Sequence, residues 1–384
     1  MAKPTITDWR KQVDKELAGA AFDKLVTTTP EGLQIQPLYS EARVDPGLPG
    51  AAPFTRGGAA EARPFLICMR VDPVAGRRAG AVAEDLDGGA DALWADAGDA
   101  EAIAACRDRG RAMIVSHADG RVELRGDGAA RTACVSSIAF HDAGADAADE
   151  LALLLASVAR ELRAGGDGAA LWAQVAIGRD TFGELCKLRA LRVVWHKLMT
   201  AAGATDTALT ALHAVCSART QSARDPWVNM LRASTQVFAA ALGGAQLITP
   251  LPFDAALGVM SAHGRRVARN TALVLREESH LGRVIDAAGG SYYVEDRTDA
   301  LAREAWARFT QIERDGGMAQ LVASGALRER LARSWAAFAA RQEPVLGVSE
   351  FANADEVVSV AAVAPPSALA SHRDDEAFTT ERAR

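Results

Sequence analysis

Between Asp225 and Glu295 the sequence alternates two kinds of hydrophobic pattern, with glycine or proline at each change. Val228, Leu231, Phe238 and Leu242 suit one buried helix face, and Gly243-Gly244 close that helix where a left-handed residue is needed. Gln246 to Leu251 is a short apolar run, long enough for one buried strand. Pro250, Pro252 and Gly258 punctuate the loop that follows. Arg265 to Ser279 is amphipathic again, with Val267, Leu273 and Leu275 among charges, and Ser291 to Val294 reads as a second short strand led in by Gly289-Gly290. Helix, strand, helix, strand is the rhythm of an α/β chain with a parallel sheet.

The rhythm begins much earlier. Short strands are predicted near 65–70, 91–95, 112–116, 134–139, 170–176, 208–214, 246–250 and 291–295, with helices between them. In Ala147 to Leu162 the residues Leu151, Leu154, Leu155, Val158 and Leu162 keep helical spacing, as do Leu188, Leu191, Trp195 and Leu198 before Gly203. Eight strands with alternating helices over about 240 residues fit a (β/α)8 TIM barrel; a doubly wound open sheet has the same rhythm. His117 to Arg131 is polar and glycine-rich and reads as a small hairpin turning near Asp119-Gly120. Helices near 298–314 and 318–340 close the domain.

Composition removes several classes. The 384 residues are 49% hydrophobic and 24% charged, as in soluble globular proteins, with a formal net charge of −6. That balance argues against a general nucleic-acid or membrane-surface binder. No apolar run approaches the ~18 residues of a membrane span, and the start is too polar for a secretory signal, so a cytoplasmic protein is expected. The five cysteines, 68, 106, 134, 186 and 216, include no C-x-x-C, so no metal site is expected and their role is small buried packing.

Residues 1–44 read as an arm. Trp9, Val13 and Leu17 share one face of a short helix stopped by Gly19; Phe22, Leu25, Val26, Leu33, Ile35, Leu38 and Tyr39 follow with little helical period. Such a segment is too apolar for a free tail and too short to fold alone, so it must bury itself on its own barrel or on another subunit. A barrel over 45–345 follows, and 346–384 is a C-terminal extension whose composition from about 360 suggests disorder.

Several stretches resemble a known family. The run D-P-W-V-N-M-L-R from Asp225, the glycine-punctuated segment after it, P-F-T-R-G at Pro53 to Gly57 and the arm pattern from Asp8 to Tyr39 are similar to the adenosylcobalamin-dependent acyl-CoA mutases, and most closely to the small subunit of methylmalonyl-CoA mutase. The resemblance implies a barrel, an arm that wraps a catalytic large subunit, and adenosylcobalamin bound by that partner. The family's cobalamin motif D-x-H-x-x-G is not matched; Glu278 to Gly282 has Glu for the acid and its glycine one place early.

The resemblance also says where catalytic groups belong, and here they are replaced. After Arg63-Pro64-Phe65, Arg70 stands where catalytic subunits place a tyrosine, and Cys68 where they place a CoA-contacting arginine. Counting back from Ala143-Gly144-Ala145, the thioester-binding histidine falls on Ala139, and His141 comes two residues late. On a strand that moves a side chain by about 6.6 Å, whereas a hydrogen bond needs about 3 Å. At Ser217 to Asp225, Gln221 and Ser222 keep the family type but its histidine is missing. No catalytic residue is therefore expected. Arg63, Lys187 and Arg189 are candidates for a substrate phosphate, beside the plainer reading of ion-paired basic residues. Trp9, Phe22, Leu25, Leu38 and Tyr39 are the candidate partner interface. The expected function is a non-catalytic small subunit; the alternatives are the catalytic barrel of a split mutase and a CoA-ester-binding module.

Overall fold

A computed structural model describes residues 4–42, 44–71, 80–118, 121–126, 131–258, 260–353, 355–356, 358–360 and 369–378. An eight-stranded sheet curls into a nearly closed barrel. Its strands are β3 (Leu66–Arg70), β4 (Ala92–Asp96), β5 (Ala112–Ser116), β6 (Val122–Arg125), β7 (Ala133–Ser136), β8 (Leu171–Ile177), β9 (Leu212–Cys216) and β10 (Leu247–Thr249). They run in the order β6-β5-β4-β3-β10-β9-β8-β7. Every pairing is parallel except β5 with β6, where Met113 faces Arg125 and Ser116 faces Val122. One isolated bridge, Leu124 to Arg131, links the edge strand β6 toward β7. The fold is of the TIM-barrel kind, as its rhythm predicts.

The eighth strand is not the predicted one. The stretch 291–295 opens the long helix α9 (Tyr292–Arg314), because the Ser291 side chain caps it by accepting from the Val294 amide. The aromatic and β-branched residues that suggested a strand lie in the first turn of this helix. The eighth place is filled by β6, the return strand of the hairpin predicted at 117–131; its turn, Asp119-Gly120, lies outside the described residues.

Helices cover the outside of the barrel. They are α2 (Ala81–Asp87), α3 (Ala100–Asp108), α4 (Ile138–Asp142), α5 (Ala147–Arg163), α6 (Thr181–Ala201), α7 (Val228–Leu242), α8 (Ala262–Leu273), α9, α10 (Gly317–Ala323) and α11 (Ala326–Ala340). A π turn, Val274–Glu278, extends α8. The helix predicted over 318–340 is two, broken at Ser324-Gly325, where Gly325 has φ +80°.

The main core lies between sheet and helices. Residues 148–159 of α5 are all buried, and they meet Leu171, Ala173, Val175 and Ile177 from the outward face of β8. The opposite residues of the same strand, Trp172 and Gln174, point into the barrel, as the two-residue strand period requires. Cys68, Cys106, Cys186 and Cys216 are buried packing residues and Cys134 is half-buried; all five are free thiols.

The arm folds as α1 (Ile6–Glu16) and a two-strand ribbon, β1 (Thr27–Thr28) with β2 (Gln34–Ile35). No residue of α1 is buried. At the other end of the chain, residues 369–378 are ordered against the barrel. Within the extension expected to be largely disordered, Asp374 and Asp375 are buried in polar contacts described below.

Candidate functional site

In a parallel barrel, ligand-binding groups belong at the C-terminal ends of the strands. Here that end opens into a cleft of 1040 Å³, lined among others by Thr27, His141, Glu150, Arg179, Arg219, Phe338 and Asp374. Its floor is a polar network. Glu150, on α5, accepts from Ser137 Oγ at 2.6 Å, and its other oxygen lies 2.8 Å from Lys187 Nζ on α6. Lys187 also donates to the Ala176 carbonyl and pairs with Glu184 at 2.6 Å. His141 spans the next gap, with Nδ1 3.3 Å from Glu150 and Nε2 2.8 Å from Ser217 Oγ.

The electrostatics suit a fixed scaffold. Burial opposes ionisation of Glu150, but the Lys187 ammonium and the His141 hydrogen bond outweigh it and hold its carboxyl at about 2. Burial likewise opposes the charge on Lys187, yet Glu150 and Glu184 together push its pKa up. Burial raises Glu184, Lys187 notwithstanding. Burial lowers His141, helped by Arg219 and against the pull of Glu150. Lys187 and Glu150 are thus an ionised pair, each held in its charged form by the other.

His141 does not sit on a strand. β7 ends at Ser136 and the chain turns into α4, with His141 N donating to the Ser137 carbonyl. The displacement along a strand expected for His141 is therefore replaced by a turn of helix, which aims the ring into the Glu150–Ser217 network. Ala139 has no group to offer.

The barrel axis is filled. Trp94 and Trp172 flank His213, at ring-centroid distances of 5.6 and 6.5 Å. Cys68, Ala92, Ile114, Ala211 and Leu247 pack in the same interior cluster as Trp172. A hydrogen-bond chain crosses it: Ser136 Oγ donates to Gln174 Oε1 at 3.0 Å, Gln174 Nε2 to His213 Nδ1 at 3.0 Å, and His213 Nε2 to Thr249 Oγ1 at 2.8 Å. Each polar atom in that chain has its partner, so His213 is neutral, and burial pushes its pKa down to about 3. Trp94 Nε1 donates to Ser116 Oγ, and Arg70 lies over the Trp94 ring at 4.7 Å. Arg70 thus stacks at the position where the resemblance asks for a tyrosine.

The three candidate phosphate binders fall in different surroundings. Lys187 is enclosed as described. Arg189 is 0% exposed and bound to Asp286, Glu295 and Thr298. The charge of both is matched by carboxylates. Arg63 is exposed, 3.7 Å from Glu61, and lines a separate 560 Å³ hollow at the N-terminal end of the barrel with Arg56, Gly58 and Arg192. The structure does not bring the three together.

Of the candidate interface residues, Trp9 and Phe22 pack edge to face at 6.2 Å, with Arg10 over Phe22. Leu25 and Leu38 are exposed. Tyr39 packs on Tyr293 of α9 at 5.2 Å, so this end of the arm is seated on its own barrel. Sequence reasoning missed Glu150, Glu184 and Ser217. The available signal was a charged residue inside the otherwise apolar inner face of α5, and a Glu184–Lys187 pair at helical spacing.

The nearest imitation of a cobalamin motif does not stand at the strand-end mouth. His280, in that imitation, is exposed in the loop after the π turn. That loop lies at the opposite end of the barrel: a Cβ on Gly282 would stand 3.2 Å from Pro64, which precedes β3. Among the described residues no cluster of three or more His, Cys, Asp or Glu is placed to hold a metal ion, and no helix is long and apolar enough to cross a membrane.

Comparison with known proteins places this barrel in a class. The chain belongs to the methylmalonyl-CoA mutase family, whose model matches residues 128–382. Among its relatives, the methylmalonyl-CoA mutase small subunit of Streptomyces virginiae is 35% identical, over 96% of this chain and 73% of that protein. The probable methylmalonyl-CoA mutase small subunit of Mycobacterium tuberculosis is 37% identical over 69% of this chain, and that of Propionibacterium freudenreichii subsp. shermanii is 37% identical over 65%. The chain spans less than half the length of these last two, 46% and 42%.

Proposed function

We propose that this chain is the non-catalytic small subunit of a cytoplasmic, adenosylcobalamin-dependent methylmalonyl-CoA mutase. Its partner is a catalytic large subunit, which binds the cofactor and interconverts methylmalonyl-CoA and succinyl-CoA. The cofactor supplies the radical chemistry in that partner, and no step is assigned to residues of this chain.

One observation carries the reading: the barrel axis is occupied by Trp94, Trp172 and His213, with every polar atom of the Gln174–His213–Thr249 chain satisfied. We read this filled interior as leaving no room for an extended acyl-CoA along the axis, although a TIM-barrel interior is ordinarily filled by side chains. The large-to-small changes needed to open a path would leave cavities in a packed interior. The contribution of this chain is then surface. The helix α1, with Trp9 half-buried and Ile6 exposed, and the exposed Leu25 and Leu38, form an apolar arm that a partner would cover.

The test is co-expression with a methylmalonyl-CoA mutase large subunit. The two are expected to co-purify, and mutase activity to fall when this chain is withheld. Replacing Trp9, Phe22 and Leu38 together by alanine is expected to weaken the complex while leaving the barrel folded. Unchanged activity without this chain contradicts the proposal.

A further inference from the structure

At the strand-end mouth, two arginines from different loops converge on one carboxylate supplied by the far end of the chain. Arg219 Nε donates to Asp374 Oδ1 at 2.9 Å, and Arg179 Nε lies 3.5 Å from the other oxygen, Oδ2. Asp374 is 3% exposed and Arg219 8%. Both guanidinium groups lie against the Phe338 ring, Arg219 at 4.9 Å and Arg179 at 5.5 Å from its centroid. Arg219 is held from behind by the carbonyls of His141 and Ala145, and Arg179 by Glu343 and the Pro344 carbonyl.

The arrangement has the parts of an anion site. It is pre-oriented, largely desolvated and contiguous with the 1040 Å³ cleft, whose wall includes Arg179, Arg219, Phe338 and Asp374. Besides Asp374, Arg179 pairs with Glu343 at 3.1 Å. Next along the chain from Arg219 and Thr220, Gln221 has both amide atoms buried and without a hydrogen-bond partner among the described residues. The segment carrying Asp374 is also held by Asp374 N on the Arg219 carbonyl at 2.8 Å, Ser222 Oγ on Asp375, His372 N on the Asp142 carbonyl, Gln342 Nε2 on the Ala377 carbonyl at 3.3 Å, and the His372 ring stacked on Trp335 at 4.4 Å.

We infer that Arg179 and Arg219 form a binding site for a small oxyanion, carboxylate or phosphate, and that Asp374 occupies it as an internal ligand. An external anion binds when residues 369–378 leave, so its apparent affinity is reduced by the fraction of molecules in which the site is free. This site is independent of the proposed subunit role.

Acetate is the probe, since an aspartate side chain is an acetate on a tether. The full chain is compared as wild type, Asp374→Ala and Arg179→Ala/Asp374→Ala, with thermal midpoints followed while acetate or phosphate is titrated against sodium chloride at matched ionic strength. Asp374→Ala is expected to be stabilised saturably, at a concentration at least about tenfold below any response of the wild type. The double variant is expected to lose that response. A stronger effect of acetate assigns a carboxylate ligand and of phosphate a phosphoryl group; either supports the site. If Asp374→Ala folds poorly, Asp374→Asn keeps the shape, removes the charge and is expected to show the same gain. Equal responses of wild type and variant, or an unchanged response after loss of Arg179, would overturn the inference.

Discussion

Glu150 and Lys187 lie 2.8 Å apart, each side chain 1% exposed, and tie α5 to α6 beneath the strand-end mouth. Removing one partner strands the other as a buried charge. Lys187→Met, close in length, leaves Glu150 and Glu184 facing each other and is expected to cost about 3–5 kcal/mol. Urea unfolding checks this. A loss within about 0.5 kcal/mol, the range of an ordinary surface substitution, would show that the pair is not the strut described here.

Acid sensitivity follows from His213. Burial lowers its pKa from 6.5 to about 3. A lowered folded-state value means that the unfolded chain binds the extra proton throughout the window between them. Stability is therefore full above 6.5 and is lost as the pH falls toward 3. From pH 7 to pH 5 the loss amounts to about 2 kcal/mol. Burial lowers His141 as well, and it adds to the slope in the same direction. His213→Asn removes the titrating ring; it is expected to be less stable at neutral pH but to show a flatter profile over this range. Denaturant midpoints at pH 7, 6 and 5 would reveal an unchanged slope, were His213 not responsible.

Ser291 decides between strand and helix at 291–295. Its side chain satisfies the Val294 amide, one of the free donors at the start of α9. Ser291→Ala is expected to cost about 1 kcal/mol, and Ser291→Gly only a few tenths. Equal losses for the two would mean that the hydroxyl is not the cap.

The same residue shows how far the sequence could be read. Periodicity located seven barrel strands, because each is an apolar run between helices whose inner faces repeat at helical spacing. It failed at Ser291-Tyr292-Tyr293-Val294, where side-chain type favours a strand and a single hydroxyl reverses the outcome. It also assigned His117 to Arg131 to a loop hairpin, whose return strand β6 turned out to fill the eighth place. At the site, the sequence shows Arg70 and Ala139 where the family resemblance places a tyrosine and a histidine. The filling of the axis was not, since Trp94, Trp172 and His213 lie far apart in sequence and only barrel closure brings them together. The contact of Asp374 with Arg219 bridges 155 residues and carries no local signal.

The exposed Arg63 remains a candidate phosphate contact at the N-terminal hollow. Isothermal titration of methylmalonyl-CoA into the isolated chain tests the packed barrel most directly. The expected result is no saturable heat up to millimolar ligand. A stoichiometric binding isotherm, abolished by substitutions lining the barrel axis, would contradict it.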